Sequence, residues 1–560
     1  MKQEKKIRER VDYTDIRHMV EDIGERWADR YAYSFRVNPR DKEMTRKTYP
    51  QLRDDIRALS TAFIDKGYAG KHITIVGKYS YNTVLVYYAA QCTASVLIPL
   101  DKEWAVQDLI STAEKAEANV IFCDPDVAEK GQQIADAVGA EALIFTDSGI
   151  NELVCEGSES FLRDSAPYYN TKIDPDALSL LVFTSGTTGK GKGVMLSQRA
   201  IIWDLADVVS YIDFSKRTVG VLPLHHTYGS SVAIYGQNSV GIEIYISSGL
   251  RYIVPELKEV KPGHLVLVPL YLETFYRKIQ ASLKDKGKTK LVHRMIKISN
   301  FLRKFGIDLR KKLFAQVRDA FGGELDLAIS GGAPINQDII KFFDGIGITV
   351  LNGYGITECA PLISVNHSGR IIPGSVGFPI DGDVIRIDDP NEDGEGEICV
   401  KGPNVMLGYF KDEAATADAM TADGYFRTGD YGKLSKEGAI VITGRKKNLI
   451  ILSNGKNVYP EEIESEFIAV PGVLDVIVYE GQSKRGMEYN AIVAEFFLDK
   501  DFVAKEKITD EKAYLKPFID EYNKNAVAYK RIQVVKVRDE EFPKNTLRKI
   551  MRFKLDMSID

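Results

Sequence analysis

Residues that could bind phosphate are concentrated in a short loop, TSGTTGKGKG at 184–193, which follows an apolar run at 178–183. Glycine lacks a Cβ atom, so backbone N–H groups in such a loop can turn toward an anion, and Ser and Thr hydroxyls donate further hydrogen bonds. Lys190 and Lys192 add positive charge. The residue types and their spacing therefore predict a loop that holds phosphate.

Two other interpretations of this loop fit poorly. Residues 186–192 match the G-x-x-x-x-G-K pattern of nucleoside triphosphatases, but the next residue is Gly193 rather than the Ser or Thr that would hold magnesium. A flexible linker is not expected between two apolar runs, LSLLVF and VMLS, that would bury its flanks. Neither a Walker-type NTPase nor a linker is favoured.

Six further motifs follow the loop along the chain. They are LPLHHTYG at 222–229, SGGAP at 330–334, NGYGITE at 352–358, GYFRTGD at 424–430, GRKK at 444–447 and PKNTLRKI at 543–550. Together with the loop they resemble the adenylate-forming superfamily of acyl-CoA synthetases, peptide-synthetase adenylation domains and firefly luciferase. The resemblance covers nearly the whole chain and is greatest to long-chain fatty-acid:CoA ligases.

The resemblance implies a reaction in two steps. A carboxylate attacks the α-phosphorus of ATP to give acyl-AMP and pyrophosphate, and a thiol then displaces AMP. Because both reactants of the first step are anions, catalysis must come largely from charge neutralisation and positioning. The expected cofactors and co-substrates are ATP, Mg²⁺ and CoA.

The resemblance also implies roles for individual residues of a nucleotide site. Tyr354 is expected to stack on adenine, Asn352 to hydrogen-bond the base and Asp430 to bind both ribose hydroxyls. Thr184 and Glu358 are the expected magnesium ligands, since this ion takes few protein oxygens and keeps water and phosphate ligands. The remaining expected contacts to ATP or AMP are Ser185, Gly186, Thr187, Thr188, Gly189, Lys192, Gly331, Gly332, Ala333, Gly353, Gly355, Thr357 and Arg445.

Three residues are expected to take part in the chemistry itself. Lys549 matches the C-terminal lysine that bridges the carboxylate and the α-phosphate in the family. Lys192 matches the family's loop lysine, and His226 matches an aromatic residue or histidine beside the substrate carboxylate. Lys447 falls at the position of the family's hinge, about which the C-terminal domain moves between the two half-reactions.

Hydrophobic patterning predicts the elements that must position these residues. Apolar runs alternate with helical patterns at 14–125 and again from 174 to about 350, which predicts parallel sheets covered by helices. After Gly374 short runs split by glycines and acidic turns predict antiparallel strands, and a charged turn at 444–448 separates them from a compact α/β pattern.

We therefore expect an α/β protein of two domains. The first, at 1–444, is a large AMP-binding domain of parallel, helix-covered sheets with a small antiparallel β region. The second, at 445–560, is a small, mobile α/β domain that carries the catalytic lysine. A chain of 560 residues exceeds the roughly 250–300 residues that one core accommodates, so more than one domain is required.

Composition is that of an ordinary soluble globular protein, with 44% hydrophobic and 27% charged residues. The charged N-terminus lacks the apolar centre of a signal peptide, and five scattered cysteines indicate a reducing compartment rather than disulfides or zinc. The apolar run at 84–100 contains polar residues and a proline, which predicts a buried helix and strand instead of a membrane span. The expected location is the cytoplasm, with peripheral association at the inner face of the membrane as a further option.

Positive charge is concentrated at 277–318, where fourteen Lys and Arg stand against two Asp in a chain of net charge −5. Apolar residues at spacings near three and four predict one or two basic amphipathic helices. They are Leu291, Met295, Ile298, Phe301, Leu302, Phe305, Leu309 and Leu313. Two interpretations stay open: a solvated helix packed on its domain, or a face that rests on anionic lipid. The long-chain acyl-CoA synthetases that the chain resembles have comparable basic helices here.

The predicted function is ATP-dependent activation of a medium- to long-chain fatty acid to acyl-AMP, with transfer to CoA. The alternatives are transfer to an acyl carrier protein, activation of an aryl or other acid, and a non-catalytic nucleotide-binding scaffold. Amino-acid activation is disfavoured because HHTYGS at 225–230 contains no acid to hold a substrate amino group. Small residues at 229–236 leave room for an acyl tunnel or permit close helix packing. We expect no nucleic-acid partner.

Overall fold

The computed structural model describes residues 6–184, 191–249, 251–452, 457–481, 491–544 and 550–558. The helices are α1 Ile16–Arg26, α2 Tyr49–Asp65, α3 Tyr81–Cys92, α4 Val106–Lys115, α5 Ala128–Val138, α6 Ser148–Arg163, α7 Ala166–Asn170, α8 Gln198–Tyr211, α9 Gln237–Ser239, α10 Ile253–Val260, α11 Pro269–Asp285, α12 Thr289–Arg303, α13 Arg310–Leu313, α14 Ala315–Arg318, α15 Gln337–Gly345, α16 Glu413–Ala419, α17 Pro460–Phe467, α18 Lys500–Lys505 and α19 Glu511–Asn525. A π-helix spans Tyr228–Gly236.

The strands are β1 Tyr31–Phe35, β2 Thr45–Thr48, β3 His72–Val76, β4 Val96–Leu100, β5 Val120–Cys123, β6 Ala142–Phe145, β7 Leu178–Thr184, β8 Lys192–Ser197, β9 Arg217–Gly220, β10 Glu243–Ile246, β11 His264–Leu267, β12 Leu327–Ser330, β13 Thr349–Gly355, β14 Leu362–Val365, β15 Phe378–Pro379, β16 Val384–Asp388, β17 Gly396–Lys401, β18 Gly408–Tyr409, β19 Phe426–Leu434, β20 Ile440–Arg445, β21 Ile450–Ile451, β22 Asn457–Val458, β23 Val473–Gly481, β24 Ala491–Leu498 and β25 Val534–Arg538.

The largest sheet has seven strands in the order β18-β8-β7-β4-β3-β5-β6. Its strands β7, β4, β3, β5 and β6 run parallel, as the alternation of apolar runs and helices predicts. β8 and β18 extend one edge in antiparallel orientation. Residues 84–100 form the buried part of α3 followed by the fully buried β4, so the prediction for this run is confirmed.

A second sheet has the order β11-β12-β13-β14-β15, with parallel β11, β12 and β13 followed by antiparallel β14 and β15. Ligands of open α/β sheets bind beyond the carboxyl ends of the parallel strands. β12 ends at Ser330, immediately before the GGAP motif, and β7 ends at Thr184, where the phosphate loop begins. Both the SGGAP motif and the phosphate loop therefore lie at carboxyl ends of parallel strands, where binding crevices form.

The predicted antiparallel region is a four-stranded sheet in the order β16-β17-β19-β20. The charged turn begins two residues later than predicted, because Gly444 and Arg445 are part of β20 and pair with Tyr431 and Asp430 of β19. The turn itself is a 3₁₀ segment, Lys446–Asn448. Cross-strand pairing thus brings Arg445 to Asp430.

The C-terminal part contains the mixed sheet β23-β24-β25, with β23 antiparallel and β25 parallel to β24. Buried residues of this sheet and of α17 and α19 form their own hydrophobic cluster, which includes Phe467, Ile492 and Leu515. Contacts to the rest of the chain include α11, where the Lys284 ammonium lies 2.6 Å from Glu506, and the start of α15, where the Asn336 amide donates to the Ser465 carbonyl oxygen at 2.5 Å. Within the described ranges, none of the helices combines the length and the apolar composition that a bilayer-spanning segment needs.

Candidate active site

Lys192 is the first residue of β8 and lies opposite Thr184, the last residue of β7. The Thr184 hydroxyl donates to the Lys192 carbonyl oxygen at 3.4 Å, so the two ends of the phosphate loop meet. The Lys192 ammonium lies 4.5 Å from the centroid of the Tyr409 ring, a distance at which an aromatic face attracts a cation. The loop between the strands falls outside the described residues. It contains the predicted contacts Ser185, Gly186, Thr187, Thr188 and Gly189.

Glu358 lies in a 3₁₀ turn, Thr357–Cys359, just beyond β13. Its Oε1 accepts a hydrogen bond from the Tyr409 hydroxyl at 2.8 Å, and Oε2 has no partner among the described side chains and backbone groups. Burial, and next the charge of Glu358, raise the pKa of Tyr409. The phenol is therefore neutral and serves as the donor to a charged carboxylate.

Lys192, Glu358 and Tyr409 line one open cleft of about 580 Å³. The opposite wall comes from α16, β17, β19 and the turn after β20. Its residues are Glu397, Asp418, Ala419, Phe426, Arg427, Thr428, Gly429 and Lys446. The Lys446 ammonium lies 2.7 Å from the buried Glu397 carboxylate. The cleft thus combines cations that can meet phosphate with carboxylates that can hold a cation.

The predicted base contacts lie on β13 and just beyond the end of β12, where Ser330 pairs with Asn352. Asn352 is buried, and its Oδ1 has no hydrogen-bond partner within the described part of the chain. Leaving such an oxygen unsatisfied costs roughly 1–3 kcal/mol, a penalty that an N–H group of a bound base would remove. Gly332 has φ +85°, in the left-handed region that favours glycine, and both Gly332 and Ala333 are exposed beyond β12.

Tight backbone packing explains Gly355, one of the two glycines of the NGYGITE motif. A Cβ on Gly355 would lie 2.2 Å from the carbonyl oxygen of Pro361, whereas a Cβ on Gly353 would lie 3.4 Å from that of Ser364. The Pro361 carbonyl accepts the backbone hydrogen bond of Ile356 at 2.8 Å. Gly355 therefore lets β13 approach β14 closely and fixes the turn that carries Glu358.

Asp430 is buried between two predicted site residues. Its Oδ2 accepts a hydrogen bond from the Tyr354 hydroxyl at 2.7 Å, and its Oδ1 lies 2.8 Å from Nε of Arg445. Burial, and then the charge of Asp430, raise the pKa of Tyr354, which is neutral. The structure thus brings Tyr354, Asp430 and Arg445 into direct contact. Thr428 and Gly429 lead from this cluster into the cleft.

The remaining predicted residues lie at the edges of this arrangement. His226 lies beside His225 with 4.2 Å between ring centroids, and Nε2 of His225 lies 3.4 Å from the Asp101 carboxylate. Burial lowers the pKa of His225, against the opposing effect of Asp101. Lys447 lies in the turn after β20, where burial and then Arg445 lower its pKa. The predicted catalytic Lys549 falls outside the described residues.

Sequence reasoning missed Tyr409, which contacts both Lys192 and Glu358. No motif marks it, because the Gly408–Tyr409 pair follows an ordinary apolar run. Its importance depends on β18 pairing with β8, a contact between distant segments. A buried tyrosine beside two motif residues becomes visible only in the folded chain.

The family model of the AMP-binding enzyme matches residues 20–410. The chain belongs to the AMP-binding enzyme family. Its relatives include the long-chain-fatty-acid–CoA ligase 5 of Rattus norvegicus, which is 28% identical over 503 residues, 82% of this chain and 72% of the relative. The long-chain-fatty-acid–[acyl-carrier-protein] ligase AEE15 of Arabidopsis thaliana is 28% identical over 544 residues, 82% of this chain and 74% of the relative.

Solved structures agree on the fold. ATP-bound MatB from Rhodopseudomonas palustris superimposes with a TM-score of 0.74 at 24% identity, covering 96% of this chain and 98% of MatB. The predicted α/β class, with a large N-terminal and a smaller C-terminal part, is confirmed. Membership of the AMP-binding enzyme family and the names of the relatives also confirm the prediction of an AMP-forming acid–thiol ligase.

Proposed function

We propose that this AMP-binding enzyme activates a long-chain fatty acid with ATP and transfers the acyl group from acyl-AMP to CoA. The observation that carries the proposal is the convergence of Lys192 and Glu358 on one cleft whose far wall leads to Asp430. These residues come from three distant motifs and supply a cation, a carboxylate and a nucleotide contact. Charge neutralisation between two anionic reactants needs this combination.

Some of the site residues would bind the substrates, and others would take part in the reaction itself. Lys192 would attract the β- and γ-phosphates, and Lys549 would bridge the acid carboxylate and the α-phosphate as their negative charges approach. His226 would border the acid. Asp430 would bind the ribose hydroxyls, with Tyr354 and Arg445 fixing its orientation. The buried Oδ1 of Asn352 would accept a hydrogen bond from an N–H group of the base.

Magnesium fits the oxygens near Lys192. Oε1 of Glu358 is held by Tyr409 and Oε2 has no partner among the described residues, while Thr184 offers a hydroxyl at the start of the phosphate loop. Hard oxygen donors of this kind suit the ion. When bound, it neutralises charge on the phosphate oxygens. Glu358 and Thr184 would hold it.

We propose that the C-terminal domain begins after Arg445, the last residue of β20, and moves about Lys447. A separate hydrophobic cluster beyond residue 449 supports this boundary. Lys447 is exposed in the turn after β20, close to the charge of Arg445, and movement of the domain would change the surroundings of its ammonium group. Such a movement would let one site serve two successive reactions.

CoA and an acyl carrier protein are both candidate acceptors. The rat relative is named for CoA and the Arabidopsis relative for acyl carrier protein, at the same identity. Both acceptors end in the same thiol-bearing arm, so the residues of the cleft do not separate them. We favour CoA because the relatives named as CoA ligases come from distant organisms, including FadD15 of Mycobacterium bovis, also 28% identical.

The test is ATP-dependent pyrophosphate release with acetate, benzoate, octanoate and palmitate, each with CoA, with holo acyl carrier protein, or with neither. The proposal expects release with palmitate and formation of palmitoyl-CoA. Acyl-AMP that accumulates with CoA but is consumed with the carrier protein would move the function to carrier loading. Absence of release with every acid would contradict the proposal.

We further propose that the basic segment 277–318 contacts an anionic membrane. One apolar face of α12, with Val292 and Met295, packs on its domain. A second set of apolar side chains on α12 and the following loop is exposed, with Phe301 59% and Phe305 68% accessible, whereas a helix packed only on its domain would expose few. Around them lie exposed cations without an ion-pair partner in the described structure. These are Lys286, Lys288, Lys290, Arg294, Lys297 and Lys304. Aromatic and basic groups together suit the interface of an anionic bilayer.

Sedimentation with vesicles tests this contact. The wild-type enzyme is expected to bind vesicles of phosphatidylglycerol and phosphatidylcholine more strongly than phosphatidylcholine alone. Changing Phe301 and Phe305 to Ser should weaken binding at least about tenfold, since each buried ring contributes roughly 1.5–3 kcal/mol. The control is Leu162→Ser, at an apolar residue of α6 that is 84% exposed. Equal binding by both variants would exclude this face.

A further inference from the structure

Tyr409 joins two groups of the candidate site that come from different parts of the chain. Its hydroxyl donates to Oε1 of Glu358 at 2.8 Å, and its ring centroid lies 4.5 Å from the Lys192 ammonium. The side chain is only 7% exposed and borders the cleft. One side chain therefore contacts both the expected magnesium ligand and the expected phosphate-loop lysine.

The backbone around Tyr409 is held by the same two segments. N–H groups of Leu407 and Phe410 donate to carbonyl oxygens of β8 at 2.9 and 2.8 Å. The N–H of Met406 donates to the carbonyl oxygen of Glu358 at 2.8 Å, and that of Tyr409 donates to the Thr416 hydroxyl at 2.8 Å. The ring is thus fixed relative to both groups that it contacts.

The chemistry of a phenol suits this place. As a neutral donor it restricts the rotation of the Glu358 carboxylate without neutralising its charge, so that charge remains available to a cation. A lysine or arginine in its place would compete with the metal for the carboxylate. The ring face attracts Lys192 without supplying a carboxylate, which leaves the ammonium charge available to phosphate.

We propose that Tyr409 is a positioning residue for the magnesium–nucleotide substrate. It orients Glu358 for the metal and holds Lys192 over the cleft, and it acts through these two groups rather than on the reacting atoms. Residues that orient ligands in this way commonly affect metal affinity by 10- to 100-fold. The inference rests on the proposed function, because it assumes that the cleft binds ATP with Mg²⁺.

Calorimetric titration of ATP at a series of Mg²⁺ concentrations, with neither acid nor CoA present, tests the proposal without relying on turnover. Tyr409→Phe keeps the ring and removes the hydroxyl, so the Mg²⁺ concentration for half-maximal enhancement of ATP binding should rise roughly tenfold. ATP affinity measured without Mg²⁺ should be unchanged in this variant. Tyr409→Leu, which also removes the ring face, should weaken ATP binding without Mg²⁺ by a few-fold as well.

Two further variants keep the result specific. Tyr31→Phe is the matched control, because the Tyr31 ring also lies near a cation, Arg46 at 5.1 Å, but its side chain is exposed at the start of β1, far from Tyr409 in the sequence. In a Glu358→Gln background, adding Tyr409→Phe should leave the Mg²⁺ dependence unchanged, since the hydroxyl acts through that carboxylate.

The outcomes separate the inference from the function on which it rests. If the wild-type enzyme binds ATP with Mg²⁺ and Tyr409→Phe gives the same Mg²⁺ dependence, the role of Tyr409 is refuted and the proposed function stands. If the wild-type enzyme binds no ATP, the proposed function itself fails. If Tyr409→Phe caused the same loss in the Glu358→Gln background as in the wild-type enzyme, the hydroxyl would not act through Glu358, which would also overturn the inference.

Discussion

The substitutions Gly355→Ala and Gly353→Ala provide a matched test of how backbone packing holds the candidate magnesium ligand. Both glycines lie on β13, in the same motif, and neither has a positive φ, so an added methyl group differs only in what it meets. At 355 the Cβ would lie 2.2 Å from the Pro361 carbonyl oxygen, and at 353 it would lie 3.4 Å from the Ser364 carbonyl oxygen. The first contact is a collision with backbone and the second is close to ordinary contact.

The collision at 355 must be relieved by moving β13 from β14 by about 1 Å. That shift overpacks the strand pair, at a cost of roughly 1–3 kcal/mol. It also strains the hydrogen bond from Ile356 N–H to Pro361, worth about 1 kcal/mol net. We therefore expect Gly355→Ala to lower the free energy of unfolding by about 2–4 kcal/mol and Gly353→Ala by less than about 1 kcal/mol.

Gly355→Ala should also lower the activity of the protein that remains folded, because Glu358 lies three residues beyond Gly355. A misplacement of about 1 Å can reduce rate by on the order of 10²-fold. Denaturant unfolding and palmitate-dependent pyrophosphate release, measured at several Mg²⁺ concentrations below the unfolding temperature, test both parts. If Gly355→Ala matched Gly353→Ala in stability and activity, the packing argument would be wrong.

Three other predictions follow from particular contacts. Tyr354→Phe removes the 2.7 Å hydrogen bond to Asp430 and should raise the KM for ATP about tenfold with little change for the acid, as initial-rate kinetics would show; equal KM values would refute it. Burial lowers the pKa of His264 from 6.5 to about 3, so the folded state keeps it neutral and its stabilisation, complete above pH 6.5, is lost as pH falls toward 3. His264→Gln should make the denaturant midpoint less dependent on pH between 7 and 5, and an unaltered slope would count against this. Removing Mg²⁺ with a chelator should abolish pyrophosphate release, and added Mg²⁺ should restore it; release in excess chelator would contradict the metal assignment.

Local sequence was sufficient to predict the elements that depend on short-range patterns. The apolar runs at 72–76 and 96–100 form β3 and β4 as predicted, because alternating helices leave a parallel sheet as the way to bury them. The charged residues at 444–448 predict a turn that begins two residues before the observed one. Arg445 instead pairs with the buried Asp430 across two strands, and that pairing is not visible in local sequence.

The site was predictable to the extent that its residues belong to recognisable motifs. Asp430 and Arg445 could be assigned to one ligand from the resemblance alone, and the structure brings them within 2.8 Å. Tyr409 could not, since its contacts depend on the packing of β18 between β8 and the Glu358 turn. The sequence also does not predict that Phe301 and Phe305 are exposed, because helical spacing does not determine which of two apolar faces is turned outward.

The central proposal is that this chain makes acyl-AMP and that Lys549 neutralises charge on the two reacting anions. The most direct measurement is palmitate- and ATP-dependent pyrophosphate release by Lys549→Ala, with Lys544→Ala as the control. Lys544 belongs to the same motif, but its ammonium lies 2.6 Å from Asp475. The account predicts a loss of at least ~10²–10³-fold for Lys549→Ala, as for removal of one charge-stabilising donor, and a much smaller loss for Lys544→Ala. Undiminished acyl-AMP formation by Lys549→Ala would contradict it.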